Sequence, residues 1–327
     1  MFTNKHYILT IYEEGGFSKA AKRLYISQPS LSASVKRIED KLSVPLFDRS
    51  TTPISLTEAG QEYIRYALEI REKEMDFERY ISDYANMIKG SIKIGGSSLF
   101  SSFMLPKMIY EFNNSYPLVN FKIAEDNTKN LIEKLSLGIL DIIIDNAIIN
   151  EDTITSTVCT TETLLLAVPH TLPVNEKLKK FRLTTNDIKN GKHLSGKYDV
   201  SLKHFSDCNF ILLNTENDTG SRANILFKKY KFKPKITLFL DQQVTSYNIS
   251  CTGMGISFVS DTLIKNTEFE PRLSFYKLLD EETTRKIYFY RKSNHYLSRA
   301  CQKFIDSNSK NAALGLTNHC DIPSSME

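Results

Sequence analysis

The sequence predicts a mixed fold: a small helical head, one long helix, and then two units of alternating strand and helix. Three observations predict it. Apolar residues recur at helical spacing through residues 4–42, and again every seventh residue through 57–89. From residue 90 the pattern changes to short apolar runs, each followed by a helix start. The length of 327 residues also exceeds what one ordinary core organises.

Composition narrows the class. Apolar residues make up 41% and charged residues 24%, as in globular proteins. No apolar run reaches the roughly 18 residues that would cross a membrane. Residues Met1 to Tyr7 pass straight into a helical pattern, without the apolar core and cleavage site of a signal peptide. The expectation is a cytoplasmic protein with no membrane partner. The net charge of +4 is uninformative, but its distribution is not. Residues 1–56 carry eight Lys/Arg against five Asp/Glu, whereas residues 57–89 carry five against eight. The positive excess sits on the head, where phosphate contacts would need it.

Within the head, Tyr7, Ile8, Ile11 and Tyr12 share one face of a helix over 4–14 that Gly15-Gly16 ends. Ser18 is positioned to cap a second helix. Ala20, Ala21 and Leu24 form its apolar stripe, and the alanines let another helix cross closely. Ser27 is the next cap, with Pro29 in the first turn, where its missing N–H costs nothing. Leu31, Val35, Ile38 and Leu42 line one side of the third helix. Gln28, Ser30, Ser32, Ser34, Lys36 and Arg37 line the other. Short polar groups followed by cations suit base edges and phosphates in a major groove. Any helical hairpin with a solvated polar face has the same spacing. Pro45 stops the pattern, Leu46-Phe47 tucks inward, and residues 49–56 form a short hairpin whose basic and hydroxyl side chains can reach the DNA backbone or the minor groove. The candidate DNA-contacting set is Ser18, Lys19, Gln28, Pro29, Ser30, Ser32, Ser34, Lys36, Arg37, Arg49 and Thr51.

Thr57 opens a helix expected to run to Lys89, roughly 50 Å at about 1.5 Å per residue. Tyr63, Ile70, Phe77 and Tyr84 recur every seven residues. A second seam of Tyr66/Ala67, Tyr80/Ile81 and Met87/Ile88 is interrupted by Lys73/Glu74. The repeat suits pairing with a second helix, and the alternative is one helix packed on its own body. The charge of the remaining faces favours pairing.

The first α/β unit alternates strands at 91–95, 119–124 and 140–144 with helices at 105–113 and 128–137. The second has strands at 164–168, 210–213 and 236–240, a turn and strand over 253–259, and helices at 223–230 and from Gln243. The chain returns through 273–279 and 286–290 to a last helix at 298–305, and residues 306–327 read as a loose tail. Such units bind ligands at the carboxyl ends of their strands. Ser97, Ser98, Ser101, Thr128, Thr219 and Gln243 stand at those junctions, either as helix caps or as contacts to a small molecule.

Catalytic patterns do not appear. The six histidines lack metal-ligand spacing, and His204 with Cys208 is a lone pair. No nucleophile elbow, phosphate loop or dinucleotide fingerprint is present. Five widely spaced cysteines suggest reduced thiols; a redox role would fall to Cys208, which has no second cysteine near it in sequence.

The stretch Phe17-Ser-Lys-Ala-Ala21, Leu24, Ser27-Gln-Pro-Ser-Leu-Ser32, Ile38-Glu39, Leu42, Leu46-Phe-Asp-Arg49 and Leu56-Thr-Glu-Ala-Gly60 resembles the N-terminal winged helix-turn-helix of LysR-type transcriptional regulators. Gly95, Leu105-Pro106, Phe112, Tyr116-Pro117, Leu135, Gly138, Asp141, Leu166-Ala-Val-Pro169, Gly220, Arg222, Pro234 and Gly253-Met-Gly-Ile256 resemble the same family's effector domain. The resemblance covers about residues 1–305. It implies a winged helix-turn-helix over 1–57 and a linker and dimerisation helix over 58–89. Two α/β lobes of periplasmic-binding-protein type over 90–305 would follow, then the tail. Lobe I would be 90–163 with 268–305, and lobe II 164–267.

The resemblance further implies a dimer or tetramer on a near-palindromic promoter, contact with RNA polymerase, a small organic effector and no other cofactor. Arg49 would mark the wing entrance with a partly structural role, and Asp141 and Arg222 would make structural or hinge pairs. One departure stands out: the family often has Arg after the serine at position 32, and here Ala33 follows. The competing expectations are a redox-responsive regulator using Cys208 and a ligand-binding module without a DNA role.

Overall fold

The structure, a computed structural model, describes residues 2–50, 54–84, 88–293 and 295–309. The chain divides into two units, Met1–Ile81 and Ser82–Glu327.

The first unit begins with α1 (Lys5–Glu14), α2 (Phe17–Arg23) and α3 (Gln28–Leu42). The predicted stripes meet: Ile8, Ile11, Ala20, Leu31 and Val35 are buried in one small core. Gly15 ends α1 in the left-handed conformation, with φ 65°. Ser27 caps α3, its hydroxyl accepting the Ser30 N–H at 3.3 Å. Ser18 does not cap α2; Gly16 holds that position and Ser18 lies inside the helix. Its hydroxyl instead donates to Gln28 Oε1 at 3.1 Å, tying α2 to the start of α3.

The wing is the antiparallel pair β1 (Phe47–Asp48) and β2 (Ser55–Leu56). Thr51 lies outside the described residues. Thr57 caps α4 (Glu58–Tyr84), accepting the Gly60 N–H at 3.0 Å and donating to Pro45 O at 2.7 Å. Gly60 is required there, because a Cβ would stand 1.9 Å from the Leu46 carbonyl oxygen.

The long helix departs from expectation at both ends. It does not reach Lys89: residues 88–89 are not helical, and 85–87, with Met87, lie outside the described residues. Tyr63 belongs to the head core rather than to a pairing seam, since it is 5% exposed and stacks on Phe2 at 4.8 Å. Farther along, Tyr66, Phe77, Tyr80 and Ile81 are exposed.

The second unit holds β3 (Gly90–Gly96), α5 (Leu105–Ser115), β4 (Val119–Glu125), α6 (Thr128–Ser136) and β5 (Ile142–Asp145). These make a parallel sheet in the order β4-β3-β5. A π-helical turn, Phe100–Met104, precedes α5 and was not anticipated. Next comes β6 (Ile154–Pro169), a strand of 16 residues of which the sequence suggested only the second half.

The short helices α7 (Val174–Lys177) and α8 (Thr185–Lys189) and the strand β7 (Asp199–Val200) follow. Then come β8 (Asn209–Leu213), α9 (Asp218–Tyr230), β9 (Lys235–Leu240), α10 (Gln243–Cys251), β10 (Ile256–Ser260) and α11 (Asp261–Lys265). Strands β9-β8-β10 repeat the order of the first sheet. The chain closes with β11 (Leu273–Leu278), β12 (Thr284–Lys292) and α12 (Arg299–Ser309). Residues 306–309 are therefore helical rather than tail, and 310–327 lie outside the described residues.

Strand β6 belongs to both sheets. Residues Ile154–Thr163 pair with β12, whereas Leu164–Ala167 pair with β10. The expected assignment of 268–305 to the first lobe needs correction. Strand β11 pairs with Leu165–Pro169 of β6 and with β7, so it lies in the second sheet. The buried residues of β11 fit either sheet, and only pairing decides. The chain re-enters the first lobe at β12.

Candidate nucleic-acid interface and interlobe cavity

Helix α3 buries Leu31, Val35 and Ile38 and turns the rest of its surface outward. Gln28, Pro29, Ser30, Lys36 and Arg37 are exposed, with Ser32 and Ser34 half-buried beside them. On α2, Ser18 and Lys19 are exposed as well. One side thus carries an amide, hydroxyls and two cations, the equipment for reading base edges and gripping phosphates. The Ser34 hydroxyl donates to the Ser30 carbonyl at 3.0 Å and so is partly committed to its own helix.

Arg49 is held in place from two sides. It pairs with Glu39 at 3.1 Å and lies over the Phe17 ring at 5.1 Å. Glu39 also accepts the Leu46 N–H at 2.8 Å and the Phe47 N–H at 3.3 Å, which fixes the entrance to the wing. Sequence reasoning missed Tyr25, which is 96% exposed at the turn between α2 and α3 with φ 55°. Its signal was a third bulky residue between Leu24 and Ile26, in a turn too short to bury all three.

In the second unit, four of the six anticipated junction residues meet. Ser97, Thr128, Thr219 and Gln243 line one cavity with Asp145, Asn146, Asn217 and Arg285. Asn127 and Asn217, rather than Thr128 and Thr219, are the residues that cap α6 and α9. Ser98 is not in the lining, and Ser101 donates its hydroxyl to the Gly96 carbonyl at 3.0 Å. Gly220 stands where a Cβ would lie 2.3 Å from Leu213 O, so the start of α9 packs directly on the end of β8.

Polar groups in the cavity are tied together. Thr128 donates to Asp145 Oδ2 at 2.9 Å, and the Ala147 N–H donates to Asp145 Oδ1 at 2.8 Å. Burial pushes the Asp145 carboxyl above its ordinary pKa. Gln243 Nε2 donates to Thr219 Oγ1 at 3.2 Å, and Gln243 Oε1 accepts the Ser260 N–H at 3.1 Å.

Arg285 is the residue that the sequence reading passed over. It is 3% exposed on β12, in the first sheet. Its Nε donates to Glu162 Oε1 at 2.7 Å. Its Nη1 donates to Asp218 Oδ2 at 2.7 Å and Thr219 Oγ1 at 2.9 Å, both at the start of α9 in the second lobe. One buried guanidinium therefore joins the lobes across the cavity. Arg222 supports it, donating to the same Asp218 oxygen at 2.8 Å and to the Glu282 carbonyl at 2.9 Å. Asp141, the other expected structural residue, accepts the Lys93 N–H at 2.8 Å. The signal for Arg285 was a charged residue at the edge of an apolar strand, and the predicted strand started one residue too late to include it.

Cys208 is half-buried, and burial together with Asp207 raises its thiol pKa. A reactive thiol needs the opposite shift. Among the described residues no cluster of His, Cys, Asp and Glu could hold a metal, and no helix is long and apolar enough to cross a membrane.

Comparison with known proteins agrees with both halves. Residues 3–61 match the family described as "Bacterial regulatory helix-turn-helix protein, lysR family", and residues 85–312 match "LysR substrate binding domain". A probable RuBisCO transcriptional regulator of Gracilaria tenuistipitata var. liui is 27% identical over 300 residues, 90% of this chain and 91% of that protein. Among solved structures, a full-length OxyR variant from Pseudomonas aeruginosa aligns with a TM-score of 0.70 at 21% identity, covering 94% of each chain. Full-length CbnR, solved in complex with its target DNA, aligns with a TM-score of 0.63 at 18% identity, covering 95% of this chain and 99% of that one. The chain belongs to the lysR family of bacterial regulatory helix-turn-helix proteins, transcriptional regulators that join a DNA-binding head to a substrate-binding domain.

Proposed function

We propose that the protein works in the cytoplasm as a homo-oligomer on a near-palindromic promoter site. There, a small organic effector in the interlobe cavity changes how it contacts DNA and RNA polymerase, without catalysis of its own. Gln28 and Ser32 read base edges, and Lys36 and Arg37 meet phosphates. Ser18, Lys19, Pro29, Ser30, Ser34, Arg49 and Thr51 complete the contact surface. With Ala33 where a long donor is common, Gln28 carries a larger share of recognition. The exposed apolar residues Tyr66, Phe77, Tyr80 and Ile81 of α4 are covered by a second copy.

The observation that carries the effector reading is Arg285. The cavity as it stands has a volume of about 20 Å³, room for little more than a water molecule. A ligand enters only if the lobes part, and parting them breaks the Arg285 bonds to Asp218 and Thr219. The effector replaces those bonds with its own, using Ser97, Thr128, Thr219 and Gln243. Its leverage is its difference in affinity between the two lobe angles.

The test is a salt-dependent gel shift on the DNA upstream of the protein's own gene, against a scrambled duplex. Preference for the upstream duplex, weakening steeply with salt, is the expected result. Equal binding to both duplexes at every salt concentration would refute it.

A further inference from the structure

A second cavity, of about 370 Å³, lies on the far side of the two strands that join the lobes. Side chains alternate along a strand, so neighbours face opposite ways. In the ladder between β6 and β12, Arg285 is opposite Glu162 and Thr284 is opposite Thr163. Glu162 and Arg285 bond to each other on the side of the interlobe cavity. Thr161, Thr163 and Thr284, one residue away, line the other cavity instead.

Of the remaining walls, His193 and Asp261 are buried, Asp199 and Lys277 are half-buried, and Leu194, Gly196 and Lys265 are exposed. His193 is 1% exposed, and its Nε2 lies 3.0 Å from Asp261 Oδ2. Asp261 is fully engaged: it also accepts the Thr163 N–H at 2.8 Å and Lys265 Nζ at 2.7 Å. His193 Nδ1 and Asp199 Oδ1, by contrast, are buried without a hydrogen-bond partner among the described residues. Lys277 Nζ donates to Leu278 O and Thr283 Oγ1, which leaves one N–H. Asp199 thus brings a carboxylate with an unmet oxygen to the lining, beside a cation with a spare donor.

We propose that this cavity is a second small-molecule site, separate from the interlobe cavity, and that it takes an α-amino acid. The ammonium group donates to Asp199, and the carboxylate accepts from Lys277 and a threonine hydroxyl. A dicarboxylate without an amine leaves Asp199 facing like charge, and a simple amine leaves Lys277 unmatched. Because the threonines belong to the strands that carry Glu162 and Arg285, occupancy here also biases the lobe angle. The inference stands on its own residues and does not need the interlobe cavity to bind an effector.

The test is thermal unfolding of the full chain with each of the common L-amino acids, beside its N-acetyl derivative and its α-amide. At least one amino acid is expected to raise Tm by about 5 °C at roughly a hundred times its Kd. Both capped derivatives should lose the effect. Asp199→Asn should weaken binding about tenfold or more, and Thr128→Val, in the interlobe cavity, should leave it intact. Should Asp199→Asn fail to fold, Thr161→Val serves for the same comparison. The proposal is overturned if no amino acid shifts Tm, if N-acetylation leaves the shift in place, or if Thr128→Val rather than Asp199→Asn removes it.

Discussion

Gln28 and Glu39 sit on the same helix and do opposite work. Glu39 uses both carboxylate oxygens inside the head, on Arg49 and on the N–H groups of Leu46 and Phe47. Gln28 keeps its amide at the exposed end, where its oxygen accepts from Ser18. Gln28→Ala should therefore cost about 1–3 kcal/mol on the specific site and much less on random DNA, read by competition binding. Lys36→Ala should weaken binding to every sequence alike and flatten the salt dependence by about one unit of slope. Equal losses for Gln28→Ala on specific and random duplexes would sink its base-reading role.

A third residue gives a pH signature. Arg272 grips Glu270 through two bonds, at 2.7 and 2.6 Å, and holds its carboxyl down at about 2 against an ordinary 4.5. A depressed carboxyl pKa stabilises the fold above the unfolded value, and that stabilisation is lost as pH falls toward the folded one. The Tm gap between the parent chain and Glu270→Gln should hold near neutrality and close between about pH 4.5 and pH 2.

Among the elements, α4 divides its surface between two tasks. Its first turns bury Tyr63, Ile64 and Ala67 in the head, and its later turns leave Phe77, Tyr80 and Ile81 exposed. The seven-residue repeat alone could not tell these tasks apart, because burial against the head and burial against a second helix demand the same apolar residues. Phe77→Asp should shift the protein toward monomer in sedimentation, with the head still folded. Gly60→Ala should instead destabilise the head by about 3 kcal/mol or more, since the new Cβ would overlap a carbonyl oxygen. Thermal unfolding of the full chain beside the parent would register it.

For the molecule as a whole, the cross-lobe guanidinium is the point of decision. Arg285→Met should cost about 3–5 kcal/mol, because it strands Glu162 and Asp218 near a buried centre. The variant should also show freer lobe motion by hydrogen exchange at β12 and the start of α9. Unchanged protection there would argue against Arg285 as the link that an effector must break.

Much of this was legible in the residues themselves. Apolar period, caps and turns are local, so the head helices, the wing and the alternation of strand and helix could be read in order. Strand-to-helix junctions are local too, which is why Ser97, Thr128, Thr219 and Gln243 could be named before it was known that they meet. What tertiary structure alone decided was which distant segments pair. Strand β11 joined the second sheet, β6 joined both, and Arg285 closed on Asp218, 67 residues away. Local patterns state what a segment must bury or satisfy, but not which segment will satisfy it.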